Sequence, residues 1–144
     1  MIVWSQLHGM PTELWMAAER AVCHDEEDRR NALVGCVILR NDGVLVSSRN
    51  GASRGKRMPK SHAEARCARK ADKHSVAYVA RVKRDGSLGL ARPYKLCRVQ
   101  LRARGVIDVF FTIGPNEWGR MRLHDESEHS WCNKPTPEYE IPFG

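Results

Sequence analysis

Three apolar, β-rich runs constrain this chain more than any other feature: ALVGCVILR (Ala32 to Arg40), VAYVARV (Val76–Val82) and VIDVFFT (Val106–Thr112). They are short and nearly unbroken, the pattern of strands covered on both faces rather than strands with one face in water. Such strands need a layer above and a layer below, and the segments between them supply helices. Leu14, Ala17, Ala18, Ala21 and Val22 fall at helical spacing and predict a first helix from about Thr12 to His24. SHAEARCARKADK (Ser61–Lys73) predicts a second helix. A third runs from Pro93 to about Arg104, with Gly105 as its stop.

Asn41-Asp42-Gly43 is a strong hairpin turn, and VLVSS (Val44–Ser48) is the partner strand of the first run. Two loops stand out by composition: the acidic run Asp25–Asp28 followed by Arg29-Arg30, and RNGASRGKRMPK from Arg49 to Lys60. Asp85-Gly86-Ser87 turns the chain towards Pro93. Past Gly114-Pro115 the pattern weakens: MRL fits an edge strand or part of a helix, and from His124 the chain reads as a polar tail with three prolines. The order is helix, hairpin, helix, strand, helix, strand. That order predicts a mixed β-sheet with helices on both faces, an α/β fold in one domain over 1–144, its core about 12–123 and its polar tail about 124–144.

Charge is concentrated in the middle of the chain. Between Arg49 and Arg104 there are 17 Lys and Arg against three acids, a net of +14, while both flanks are mildly acidic. Such a segment is either a solvated surface or an approach surface for phosphates, nucleotide or nucleic acid. Every apolar run is short and interrupted by charge, so neither a membrane span nor a secretory signal is expected. The five cysteines are odd in number and scattered, which argues against a disulfide framework and for a reducing, cytoplasmic setting.

Two fragments carry chemistry. In SHAE, Ser61 and Glu64 have the spacing of a capping box, while His62 and Glu64 have that of a metal ligand beside a proton carrier. In RPYKLC, Pro93 suits a first helical turn and Cys97 is either a core thiol or a thiolate ligand. Both fragments open helices, and one strand separates them. If the two following strands are parallel neighbours, the helix starts meet at one end of the sheet, where open α/β sheets place their sites.

On these residues the chain resembles the cytidine and deoxycytidylate deaminase superfamily, whose pattern is H-x-E followed by P-C-x-x-C. The resemblance runs from about Leu14 to Thr112. It implies a three-layer α/β/α cytidine-deaminase-like fold, with zinc held by His62 and Cys97 and with Glu64 as general acid and base. Asn50, after the second strand, falls where this superfamily often holds the substrate sugar; as part of Asn50-Gly51 it is equally a turn former. Tyr94 stands in the place of the first cysteine. A phenol with a pKa of about 10 is a poor zinc ligand unless the metal deprotonates it. Tyr94 thus binds as phenolate, stands off from a zinc held by His62, Cys97 and water, or marks a site without metal. Cys67, or His129 with Cys132, are the other candidates for the missing ligand, against ordinary readings as a core thiol and a polar tail.

The implied substrate is a cytosine nucleoside or nucleotide, or a single-stranded nucleic acid. In the loop that leads into His62, Arg57 and Lys60 are the best-placed phosphate contacts, with Arg54 and Lys56 beside them. The basic residues of the second and third helices, Arg98 among them, are expected on helix faces. Trp118 and Trp131 could stack a base or cap the pocket, or simply anchor the chain. Homo-oligomers are frequent in this superfamily. The rival reading is a catalytically inactive protein of the same fold that binds nucleic acid or a protein partner through its basic face.

Overall fold

The computed structural model describes residues 10–22, 32–50, 63–93, 95–123 and 130–132. Among them are three helices, α1 (Thr12–Val22), α2 (Ala63–Ala68) and α3 (Lys95–Ala103). The strands are β1 (Ala32–Leu39), β2 (Leu45–Arg49), β3 (Ser75–Lys83), β4 (Leu88–Gly89), β5 (Val106–Gly114), β6 (Glu117–Arg122) and β7 (Ser130–Cys132). They form one mixed sheet in the order β2-β1-β3-β5-β6-β7, with β4 paired to the end of β3. Only β3 and β5 run parallel to each other; the remaining pairs are antiparallel.

The expected layering is present, and β1 shows its cause. Its side chains alternate between two cores: Leu33 and Val37 face α1, while Cys36 and Ile38 lie with α2 residues Ala63 and Cys67 and α3 residue Leu101. Leu14, Ala17, Ala18 and Ala21 form the buried stripe of α1. This helix lies unusually close to the sheet at Gly35. A Cβ there would stand 2.0 Å from the Ala17 carbonyl oxygen and 2.7 Å from the Ala21 nitrogen, so the position accepts no side chain.

The hairpin forms as its residues predict. Gly43 has φ +88°, Gly43 N donates to Arg40 O (2.9 Å), and the Asp42 carboxylate accepts from Val44 N (3.0 Å). Gly105, at φ +98°, ends α3; its carbonyl receives His74 N at 2.8 Å and so joins the end of α3 to the start of β3.

Three segments differ from expectation. The second helix ends at Ala68, not Lys73: Lys70 N and Ala71 N close a turn onto Cys67 O and Ala68 O, and Asp72 turns outward to accept from Asn41 N at 2.8 Å. Side-chain bonding to neighbouring backbone outcompetes the helix there. Met121 and Arg122 of MRL belong to β6, and because β7 pairs beyond it, β6 is internal. The segment expected as polar tail therefore contributes a strand. Trp118 packs with Phe110 (centroids 6.0 Å apart), itself stacked on Tyr78 at 5.1 Å, on the α1 side of the sheet. It lies on the opposite face from α2 and α3 and anchors the sheet. No helix among the described residues is long and apolar enough to cross a membrane.

Candidate active site

Each of the parallel strands β3 and β5 follows a helix that runs back along the sheet, so α2 and α3 both start beside the C-terminal ends of those strands. The two helices also pack against each other. Glu64, in the first turn of α2, is 6% exposed, and Cys97, in the first turns of α3, is fully buried. Burial of a carboxylate at 6% exposure is costly without polar surroundings, which makes Glu64 the most informative charged residue of α2.

The Cys36 thiol reports how these groups cluster. Its pKa is pushed well up, first by a hydrogen bond with the Cys67 thiol, then by burial, then by the charges of Cys67, Glu64 and Cys97. Glu64 and Cys97, on two helices that pack together, both contribute to that upward shift. Cys67 moves down, chiefly through the bond from Cys36, and its Sγ lies 3.6 Å from Cys36 O and 3.7 Å from Val46 O. Cys36, Cys67 and Cys97 are all free thiols. Cys36 and Cys67 fill the core between β1, β2 and α2, as a packing role for both requires.

The approach to α3 is held by two residues that sequence reasoning missed. Arg98 was expected on an exposed helix face; instead it is 4% exposed and its Nη1 donates to Pro93 O at 2.9 Å. The guanidinium therefore ties the chain just before Tyr94 to the helix just after Cys97. Its signal was the spacing of Cys97, Arg98 and Leu101, which share one helix face. Thr112, fully buried, accepts from Arg81 N (3.1 Å) and donates to Gly89 O (2.8 Å), while its carbonyl receives Ala91 N (2.8 Å). It pins the segment that leads into Pro93 where β3 and β5 part.

Asn50 closes the β1–β2 ladder on the site side. Its N donates to Val34 O (2.9 Å) and its Oδ1 accepts from Val34 N (3.1 Å). His62, Tyr94, Arg57, Lys60 and His129 lie outside the described residues. Cys132 lies in β7, the outermost strand beyond β6. Among the described residues no three His, Cys, Asp or Glu side chains gather as a metal-binding group. The described part of the implied donor set fits a soft divalent ion: Cys97 supplies a buried sulfur, and Glu64 lies in the same neighbourhood.

A chain of this layering and helix placement has an α/β fold of the cytidine-deaminase type. The solved structures it resembles include a cytidine deaminase from Mycobacterium tuberculosis, at TM-score 0.50 and 20% identity, covering 85% of this chain and 92% of that one. Two point-substituted forms of the same enzyme match at the same score and identity, over 93% and 90% of their length. No protein-family model matches the chain, and no curated protein sequence matches it.

Proposed function

We propose that this protein is a zinc-dependent hydrolase that deaminates a nucleobase, cytosine to uracil, in a nucleoside, a nucleotide or a single-stranded nucleic acid. The observation that carries the reading is Glu64: a buried carboxylate at the start of α2, sharing the surroundings of Cys97 at the start of α3, in a fold of cytidine-deaminase type. His62, Cys97 and Tyr94 would hold the ion. Zinc bound there supplies the Lewis acidity that makes water a nucleophile at neutral pH. Glu64 takes the proton of the water that attacks C4 of the base. It delivers that proton to the ring nitrogen, and a second transfer to the exocyclic amine lets the C–N bond break with release of ammonia. Arg98 keeps Pro93 in register with Cys97. Asn50 is the contact for the sugar, and Arg57 and Lys60 are contacts for phosphate.

Glu64→Gln tests this directly. Turnover of cytidine, deoxycytidylate or a cytosine-containing oligonucleotide should fall by about 100-fold or more, with the thermal melt and zinc content retained. Elemental analysis of protein purified without chelator should find close to one zinc per chain. Tyr94 favours a second reading, a non-catalytic binding module, because it replaces a thiolate of the family pattern. That reading expects no zinc and indifference to Glu64→Gln; zinc binding gained only in Tyr94→Cys would establish a lost site.

A further inference from the structure

The residues that lead into α3 alternate in burial. Gly89, Ala91 and Pro93 are buried, while Leu90 is exposed and Arg92 half-buried. That is the pattern of an extended segment with one face against the core. All three inward positions are tied by their backbone to Thr112 or Arg98. Gly89 O accepts from Thr112 Oγ1 (2.8 Å), Ala91 N donates to Thr112 O (2.8 Å), and Pro93 O accepts from Arg98 Nη1 (2.9 Å).

Thr112 makes two of these bonds, and its place in the sheet explains how. The parallel register of β3 and β5 ends at Val79 with Phe111, and Thr112 is the next residue of β5. There β3 continues alongside β4, with Arg81 opposite Gly89. Thr112 Oγ1 accepts from Arg81 N (3.1 Å) while it donates to Gly89 O, so one hydroxyl bridges three strands. A hydroxyl that spends its donor and an acceptor on backbone has a fixed orientation. Satisfying a buried hydroxyl requires nothing so distant. Ser75, also fully buried, donates to Asp72 O three residues away, whereas Thr112 reaches across 23 residues of chain to Gly89. The segment that it holds ends at Pro93, four residues before Cys97.

We propose that Thr112, together with Arg98, is a positioning residue for Cys97. The two fix Gly89–Pro93 against the end of β5, so that the α3 half of the site keeps its place before any metal binds. This rests on the zinc-deaminase reading for what Cys97 ligates. Coordination distances are nearly fixed, so a ligand whose support loosens loses metal affinity.

The test uses full-length protein and reads zinc affinity by competition with a chelator, with turnover of cytidine followed in parallel. Thr112→Val keeps the side-chain shape and removes the hydroxyl; zinc affinity should fall about tenfold or more. Thr112→Ser should recover most of it. Arg98→Met, which keeps a buried stem and loses the donor, should weaken zinc likewise. Hydrogen exchange on metal-free wild type should find the Ala91 amide as protected as in the zinc-loaded protein, a measurement that needs no variant to fold. Leu14→Ala, which opens the core on the α1 face, controls for stability: it should lower the melt at least as far as Thr112→Val and leave zinc affinity alone. Equal zinc loss in Leu14→Ala would mean a merely structural role and overturn the proposal. So would unchanged affinity in Thr112→Val or in Arg98→Met, an Ala91 amide protected only with zinc, or wild-type protein that binds no zinc. If zinc affinity responds as expected and wild-type protein deaminates no cytosine substrate, the deaminase reading fails while the positioning role stands.

Discussion

Tyr78 illustrates how one side chain records its surroundings. It is 8% exposed beneath α1, and burial, helped by the charges of Glu13 and Asp108, raises its pKa to about 12 from about 10. A raised value means that the folded state prefers the neutral phenol. The stabilisation is therefore complete below pH 10 and lost as pH rises from 10 to 12, because only the unfolded chain gains by ionising there. Two units correspond to about 2–3 kcal/mol as an upper figure. Urea midpoints at pH 9 and pH 11.5 should show that loss in the wild type and a clearly smaller one in Tyr78→Phe. Glu64 and Cys97 were both expected at helix starts, and both lie there, buried. Arg98 could not be assigned from its type, because an arginine on a short basic helix is ordinarily solvated, whereas here it is buried and bonded to Pro93 O.

At the level of elements, β1, β2, β3 and β5 were legible to within one or two residues, because short β-rich apolar runs bounded by turns have few alternatives. The end of α2 was not. ARKADK has good helix formers, and the helix stops because Asp72 bonds to the β1–β2 hairpin and Ser75 Oγ donates to Asp72 O at 2.7 Å. Two glycines separate local from tertiary demand. Gly43 has positive φ with open space around it, so Gly43→Ala should cost about 1 kcal/mol through backbone strain alone. Gly35 has ordinary φ but faces the backbone of α1, so Gly35→Ala must push the helix off the sheet and should cost about 3 kcal/mol or more. Chemical denaturation of the two variants should rank them in that order.

For the molecule as a whole, the sheet places its parallel pair next to one antiparallel hairpin, and this brings α2 and α3 together at one end. A metal ion held by His62 and Cys97 would join those two helices across the core. Chelation should then lower the melting temperature by several degrees and zinc should restore it, since a ligand bound only by the folded state stabilises it by mass action. An unchanged melt with and without chelator would count against the bridge. β7 belongs to this scale as well: Ser130–Cys132 is too short and too polar to announce itself, and it becomes a strand only because β6 offers an edge.

The sequence alone determined the α/β class, the hairpin at Asn41-Asp42-Gly43, the stop at Gly105 and the helices that begin near Glu64 and Cys97. These depend on local properties: apolar period, turn chemistry and residue spacing. The tertiary structure alone decided which cations are buried and which are paired. The Cys36–Cys67 thiol pair joins β1 to α2 across 31 residues of chain, and Arg98 behind the site folds back onto Pro93. Their energetics come from burial and from the groups opposite them, and neither is written in the residue itself.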